Sequence, residues 1–195
     1  TFKEAFLPLG IAGSDLPAMQ NETAVNINVV DCTFEKDFTP VPRLDKSLGC
    51  DVNVTIEGCT FAGKVSATAG ENANSDITMS IKNSKVPVGA GVYAVAAPVG
   101  NVNLTVDNVY TDDTTREVLI GAVSQAVSMP SNSLITVTYK NQVQKGVYMA
   151  SYGATGGDID MYVQDMPLPT GTTNASSIRP LFHSSQTKDF GNVYV

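Results

Sequence analysis

The 195-residue chain carries 12 Lys and Arg against 19 Asp and Glu, which gives a formal net charge of −7. This charge is opposite to the basic patch that phosphate backbones require, so nucleic acid is not expected as a partner. The longest apolar runs, such as residues 92–99 and 118–122, fall well short of the roughly 20 residues that a membrane-spanning helix needs. With 43% hydrophobic and 16% charged residues, the composition predicts one folded domain without a membrane span.

Residues 1–24 come before any repeated pattern and carry several apolar side chains. Because the chain starts with Thr1 rather than Met, it is expected to be a processed product or an excised fragment. The first strand of a stacked repeat has an unpaired edge that needs cover. We therefore expect residues 1–24 to form an N-terminal cap or a join to a preceding domain.

Six segments from residue 25 onward repeat one pattern, in which the first, third and fifth residues are apolar. Their starts lie 27, 25, 25, 33 and 24 residues apart. Successive side chains of a strand point to opposite faces, so each segment predicts a strand with an apolar inner face and a polar outer face. The segments are Val25–Val29, Val52–Ile56, Ile77–Ile81, Val102–Val106, Ile135–Tyr139 and Ile159–Val163.

A turn-forming residue follows each strand, two places after the last inward apolar residue. Asn and Asp tolerate left-handed backbone geometry and Gly adopts it freely, so the chain is expected to bend there. In stacked repeats these residues would lie about 4.8 Å apart and form a side-chain ladder. The predicted bend residues are Asp31, Gly58, Asn83, Asn108, Asn141 and Asp165.

A second, weaker strand is predicted in four units, at residues 65–69, 91–96, 118–123 and 147–151. One strand, a bend, a second strand and a return loop in about 25 residues make one coil of a parallel β-helix. The sequence thus predicts an all-β solenoid of about six coils over residues 25–168, with a C-terminal tail at 169–195. An antiparallel β-sandwich is the alternative, since it also consists of short alternating strands.

Two cysteines occupy equivalent places in this repeat, since Cys32 and Cys59 each follow a bend residue and precede a Thr-Phe pair. Either both are small buried residues of the stack, or they form a disulfide, although stacking does not guarantee the Cβ orientation that a disulfide requires. Cys50 makes the count odd, so at least one thiol stays unpaired. Phe34 and Phe61 should stack one coil apart in the core.

The alternating strands, the Asn or Asp bends and the period of about 25 residues resemble the right-handed β-helix group. This group includes pectate-lyase-like enzymes, bacterial surface adhesins and bacteriophage tail spikes. The resemblance covers about residues 25–168 and implies a right-handed parallel β-helix. It says little about activity, because the group contains lyases, hydrolases and non-catalytic structural proteins.

The acidic residues are the first candidates for a catalytic or metal-binding role. Asp51, Asp76 and Asp158 directly precede three of the strands. Asp51 and Asp76 should lie one above the other, and like charges this close invite either a cation or a raised pKa. The alternative is that they are solvated turn residues with ordinary ionisation. A polysaccharide lyase or hydrolase would need clustered carboxylates or a calcium site beside a basic residue. The single histidine, His183, has no recognisable triad partners, so no catalytic residue, metal or cofactor is predicted.

Ligand binding is expected in the longest interval between the repeated strands, residues 107–134. Loops inserted into a rigid repeat are where binding residues usually lie. The candidate binding residues are Asp112, Asp113, Arg116 and Asn132.

These features favour a non-catalytic structural or receptor-binding segment of a virion protein, such as a tail spike or fibre, or of a cell-surface adhesin. The alternatives are a polysaccharide lyase or hydrolase fragment, and an ice- or surface-binding solenoid whose outward Asn, Thr and Ser columns contact a repetitive surface. The expected partners are further copies of the chain, as in a trimeric spike, neighbouring structural subunits or a surface glycan. The expected location is the virion surface or the extracellular or cell surface.

Overall fold

The computed structural model describes twelve ranges of the chain. Within them the secondary structure is all β, and no helix there has the length and apolar character needed to cross a membrane. The described ranges are 1–3, 24–39, 51–68, 76–87, 91–95, 101–112, 118–123, 134–142, 146–152, 158–164, 177–179 and 193–194.

The strands follow one another in a regular alternation between sheets. In chain order they are β1 (Val25–Val30), β2 (Thr33–Phe34), β3 (Val52–Glu57), β4 (Thr60–Phe61), β5 (Val65–Thr68), β6 (Ile77–Lys82), β7 (Val92–Val95), β8 (Val102–Asp107), β9 (Val118–Val123), β10 (Leu134–Lys140), β11 (Gly146–Tyr152), β12 (Asp158–Gln164), β13 (Ser177–Arg179) and β14 (Val193–Tyr194).

Seven strands form one long sheet in the order β1-β3-β6-β8-β10-β12-β14. All six predicted segments lie in this sheet and pair at equivalent positions of their pattern. The first residues of the segments therefore form one line across the sheet: Val25, Val52, Ile77, Val102, Ile135 and Ile159.

A five-stranded sheet, in the order β13-β11-β9-β7-β5, contains the weaker strands that were predicted in four units. β2 and β4 form a third, short sheet, which isolated bridges extend from Thr60 to Lys85 and from Lys85 to Tyr110. Every strand pair among the described residues is parallel, so the prediction of an all-β chain with parallel strands is confirmed. The antiparallel pairing that defines the alternative sandwich does not occur in these ranges.

The core is a single cluster of buried side chains from all three sheets. Four inward residues from successive strands of the long sheet, Val54, Met79, Leu104 and Val137, are at most 2% exposed. Their outward neighbours are Asn, Thr and Ser, as the two-residue alternation of a strand requires. The unshifted register therefore aligns these inward positions against the core.

An aromatic stack lies beneath the short sheet. The rings of Phe34 and Phe61 are parallel, with centroids 5.0 Å apart, and Phe38 contacts both rings edge-on. This confirms the predicted stacking of Phe34 on Phe61. Phe2 extends the stack by one ring, at 4.9 Å from Phe34.

We expect Leu104→Ala to lower the free energy of unfolding by about 2–5 kcal/mol, because it leaves a cavity in the core. The matched control is Asn103→Ala at the adjacent outward position, which should change stability by no more than about 0.5 kcal/mol. Urea denaturation of the two variants measures the difference. Equal effects would show that Leu104 does not face the core.

Candidate functional site

The most regular polar feature is the row of bend residues along the end of the long sheet, which we call the bend column. All of its described members have a positive φ, between 47° and 65°. They are Asp31, Gly58, Asn83, Asn108 and Asn141. Left-handed backbone geometry costs most L-residues roughly 1–2 kcal/mol. The cost is smallest for Gly, and it is lower for Asn and Asp than for other L-residues, which accounts for the residue types at these positions. Asp165, the sixth predicted bend residue, lies outside the described residues.

Backbone hydrogen bonds join each member of the bend column to the next repeat. The N–H of Asp31 donates to Glu57 O at 3.0 Å, and the same bond recurs four times, at 3.0 to 3.3 Å. The remaining donor and acceptor pairs are Gly58 and Lys82, Asn83 and Asp107, Asn108 and Lys140, and Asn141 and Gln164. The sharp bend thus leaves no buried amide without a partner at these five positions.

Side-chain bonding along the bend column is discontinuous. Asn108 Nδ2 donates to Asn83 Oδ1 at 2.9 Å, which is the amide ladder expected of stacked Asn residues. Asn141 Nδ2 donates instead to Asp107 Oδ1 at 2.9 Å. At Gly58 a Cβ atom would lie 2.4 Å from Asp31 Oδ1, so any other residue there would require the Asp31 carboxylate to move.

After four of the five described bends, the next residue belongs to a second hydrogen-bonded column that the sequence analysis missed; the exception is Val109, which follows Asn108. Cys32, Cys59, Ser84 and Gln142 each donate from the side chain to the carbonyl two residues earlier, at 2.8 to 3.3 Å. Three of these side chains also accept a backbone N–H from the preceding repeat. The only sequence signal was a small or polar donor recurring after the bend.

Both described cysteines belong to this second column. Cys59 Sγ accepts the Cys32 N–H at 3.4 Å and donates to Glu57 O at 3.3 Å, while Cys32 Sγ donates to Val30 O. Both are free thiols, so the disulfide considered for this pair is not formed. Cys50 lies outside the described residues.

A third column lies at the opposite end of the same strands, where Asp51 and Asp76 were expected to stack. Asp51 Oδ1 accepts the Asp76 N–H at 3.1 Å, and Asp76 Oδ1 accepts the Asn101 N–H at 2.9 Å. Asn101 Oδ1 in turn accepts the Leu134 N–H at 3.0 Å. The carboxylates are thus matched with amide donors, and within the described ranges no group of three or more His, Cys, Asp or Glu could hold a metal ion.

Charged side chains pair across the long sheet at its last outward position. Glu57, Lys82, Asp107 and Lys140 follow one another in register and alternate in sign. Glu57 and Lys82 form an ion pair at 4.0 Å, with both side chains about half exposed. Exposed ion pairs of this kind contribute at most about 1 kcal/mol to stability. Like charges directly opposite one another, however, would destabilise the pairing of the two strands.

Of the predicted binding residues, only Asp112 is described. Its carboxylate is exposed and forms an ion pair with the Lys85 ammonium. Tyr110, on the same line of bridges as Lys85, is also exposed. Asp113, Arg116 and Asn132 lie outside the described residues, as does His183.

The outer face of the long sheet is a regular array of amide and hydroxyl groups. Asn53 Nδ2 donates to Asn26 Oδ1 at 3.1 Å, which links the first two strands. Tyr162 is 46% exposed and lies at the outward position paired with Thr138. Chemically, the Asn, Thr and Ser positions of this face offer neutral hydrogen-bonding groups, with Asp160 and the exposed ring of Tyr162 beside them on β12.

Comparison of the chain with protein-family models, with curated proteins and with solved structures finds no match.

Replacing Asn83 tests the bend column. Asn83→Ala should lower the free energy of unfolding by about 1–3 kcal/mol, because alanine is strained at φ 47° and the bond to Asn108 is lost. Asn83→Gly loses the same bond but relieves the strain, so it should be the more stable variant by about 1 kcal/mol. Thermal and urea unfolding measure both; an alanine variant as stable as the glycine variant would contradict this origin of the bend.

The thiol of Cys59 makes stability depend on pH. Burial raises the pKa of Cys59 above its ordinary value of 9.0. The thiol therefore ionises at lower pH in the unfolded chain than in the folded one. Its contribution to the free energy of unfolding is complete below about pH 9 and is lost as the pH rises further. Cys59→Ser keeps a donor and acceptor at this place, as Ser84 does one repeat on.

The variant should consequently lose less stability between pH 8 and pH 11 than the parent chain. Urea denaturation at a series of pH values measures the two slopes. Identical slopes would show that Cys59 does not titrate differently in the folded state.

Proposed function

We propose that the two larger sheets are faces of a right-handed parallel β-helix of about six coils over residues 25–168. Three findings support this architecture. From β5 onward the strands alternate between the two larger sheets in chain order, all pairs of described strands are parallel, and one core contains residues from all three sheets. Strands paired with their equivalents about 25 residues away are typical of a solenoid.

We further propose that the chain is a stiff, non-catalytic segment of a virion or cell-surface protein. The main support is that polar groups at both ends of the long-sheet strands bond to the neighbouring repeat. Asp51 and Asp76, which could have served as acid, base or metal ligand, are used in this way. Such bonding stiffens the stack, and it leaves those carboxylates less available as acids, bases or metal ligands.

A rigid stack of this kind serves to hold loops in place. Asp112, Asp113, Arg116 and Asn132 are the proposed binding residues, in the longest interval between repeats. Support comes from the ion pair between the partly buried Lys85 and the exposed Asp112, and from the exposed Tyr110 on the same line of bridges. A partner could contact both a charge and an aromatic ring there. The proposed partners are a receptor, a surface glycan, neighbouring subunits or further copies of the chain.

Immunogold electron microscopy tests the proposed location. An antibody against the purified chain should label intact virions or unpermeabilised cells of the source organism. Label that appears only after permeabilisation, and on no particle, would contradict the proposal. Sedimentation at high protein concentration measures the oligomeric state. A strictly monomeric chain would argue against a trimeric spike.

The non-catalytic role is tested with a panel of acidic and neutral glycans. The purified chain should release no reducing ends or unsaturated sugars. Cleavage that disappears in Asp112→Asn or Asp158→Asn would overturn this role and favour a lyase or hydrolase. If both variants retain the cleavage, further purification should separate that activity from the chain, as is expected of a contaminant.

A further inference from the structure

Cys32 and Cys59 occupy equivalent places in two successive repeats, one residue after the bend. Their backbones are paired, because the Thr60 N–H donates to Cys32 O at 2.8 Å and the next residues, Thr33 and Thr60, are in register. Neighbouring strands lie about 4.8 Å apart, and a disulfide spans Cα atoms roughly 4.4–6.8 Å apart. The two backbones are therefore close enough for a bond between the sulfur atoms.

The side chains of the two cysteines also lie close to one another. The Cys32 N–H donates to Cys59 Sγ at 3.4 Å, and each thiol donates to the carbonyl two residues earlier in its own repeat, at 3.3 Å. A bond between the sulfur atoms requires both thiols to leave these carbonyls. One of them, Glu57 O, keeps the Asp31 N–H as a donor at 3.0 Å, so oxidation leaves it paired.

The hydrogen bonds of this column do not require sulfur. Ser84, at the same place one repeat after Cys59, donates to Lys82 O at 2.8 Å and accepts the Cys59 N–H at 3.1 Å. Cys59 forms the same two bonds at 3.3 and 3.4 Å, so the hydroxyl makes them at shorter distances. Besides its more apolar character, what a thiol adds here is the capacity for a reversible covalent bond.

The two thiols differ in their access to solvent. Cys32 is partly exposed, whereas Cys59 is 1% exposed. Burial also raises the pKa of the Cys59 thiol, which lowers its thiolate fraction at a given pH. A small oxidant in solution therefore reaches Cys32 first, and Cys59 is placed to react with Cys32 rather than with the solute.

We propose that Cys32 and Cys59 are a redox-sensitive pair, which a low-molecular-weight disulfide in solution oxidises to a covalent bond between neighbouring repeats. The Cys32 thiolate attacks one sulfur of the reagent, whose S–S bond breaks to release one thiol and leave a mixed disulfide on Cys32. The Cys59 thiolate then attacks Cys32 Sγ and expels the second thiol. Two cysteine thiols are oxidised, their protons go to the two released thiols, and the free thiols of the structure are the reduced state.

The bond would tie β1 and β2 to β3 and β4, since each cysteine lies between the two strands of its own repeat. Closing the loop between Cys32 and Cys59 restricts the unfolded chain, so the oxidised form is the more stable one. Oxidising surroundings, such as those outside a cell, favour it. The pair requires only the stacking of the two repeats and is independent of the non-catalytic role proposed above.

Oxidation of the full chain carrying Cys50→Ser, which removes the third thiol, tests the pair. The folded variant is incubated with excess oxidised glutathione or with a reducing agent. We expect the oxidised sample to lose two hydrogen atoms in mass, to yield a Cys32–Cys59 peptide on non-reducing digestion, and to unfold at a higher urea concentration than the reduced sample. Adding the reducing agent should reverse all three changes.

Two further substitutions in the Cys50→Ser chain test the order of the steps. Cys59→Ser should stop at the mixed disulfide and gain one glutathione at Cys32, whereas Cys32→Ser should stay unmodified while it is folded. Two free thiols after incubation, or an oxidised form less stable than the reduced one, would overturn the proposal. If Cys50→Ser does not fold, the parent chain is digested instead, and a disulfide from Cys50 to either cysteine in place of Cys32–Cys59 would overturn it.

Discussion

The unshifted parallel register of the long sheet is the constraint on which the rest of the structure depends. Strand side chains alternate with a period of two, so a slip of one residue between repeats would turn every apolar side chain to solvent. The continuous core and the Phe34–Phe61 stack both require that no such slip occurs. The alternating charges of Glu57, Lys82 and Asp107 act in the same direction, since a slip would remove their pairing.

Left-handed residues at the strand ends make this register compatible with a turn in every repeat. A bend buried against a neighbouring repeat would leave amides unpaired, which costs about 1–3 kcal/mol for each group. The chain avoids this cost because each of the five described bend residues donates its N–H to the next repeat. Ser84 and Gln142, with the two described cysteines, satisfy further backbone groups beside the bend. The polar residues at the strand ends therefore serve mainly to connect repeats.

This use of polar groups bears directly on the proposed role. Asp51 and Asp76 lie close together, as paired catalytic carboxylates would, yet each accepts an amide N–H from the following repeat. Hydrogen bonds of this kind tie each of these strand ends to the next, which supports the proposed role of a stiff scaffold. The proposed binding by the interval around Asp112 places recognition away from these bonded strand ends.

The six repeated strands of the long sheet, the four weaker strands and the bend positions were predictable from the sequence, because alternation and turn chemistry are local properties of a few neighbouring residues. The sequence left parallel stacking and an antiparallel sandwich open, and the tertiary structure decided for parallel pairs among the described strands, since pairing joins residues about 25 positions apart. It also decided the bonding of Asp51, Asp76 and Cys59. A carboxylate or thiol has the same sequence signature whether it meets a cation, another side chain or a backbone amide, and only the stacked repeats bring that amide within reach.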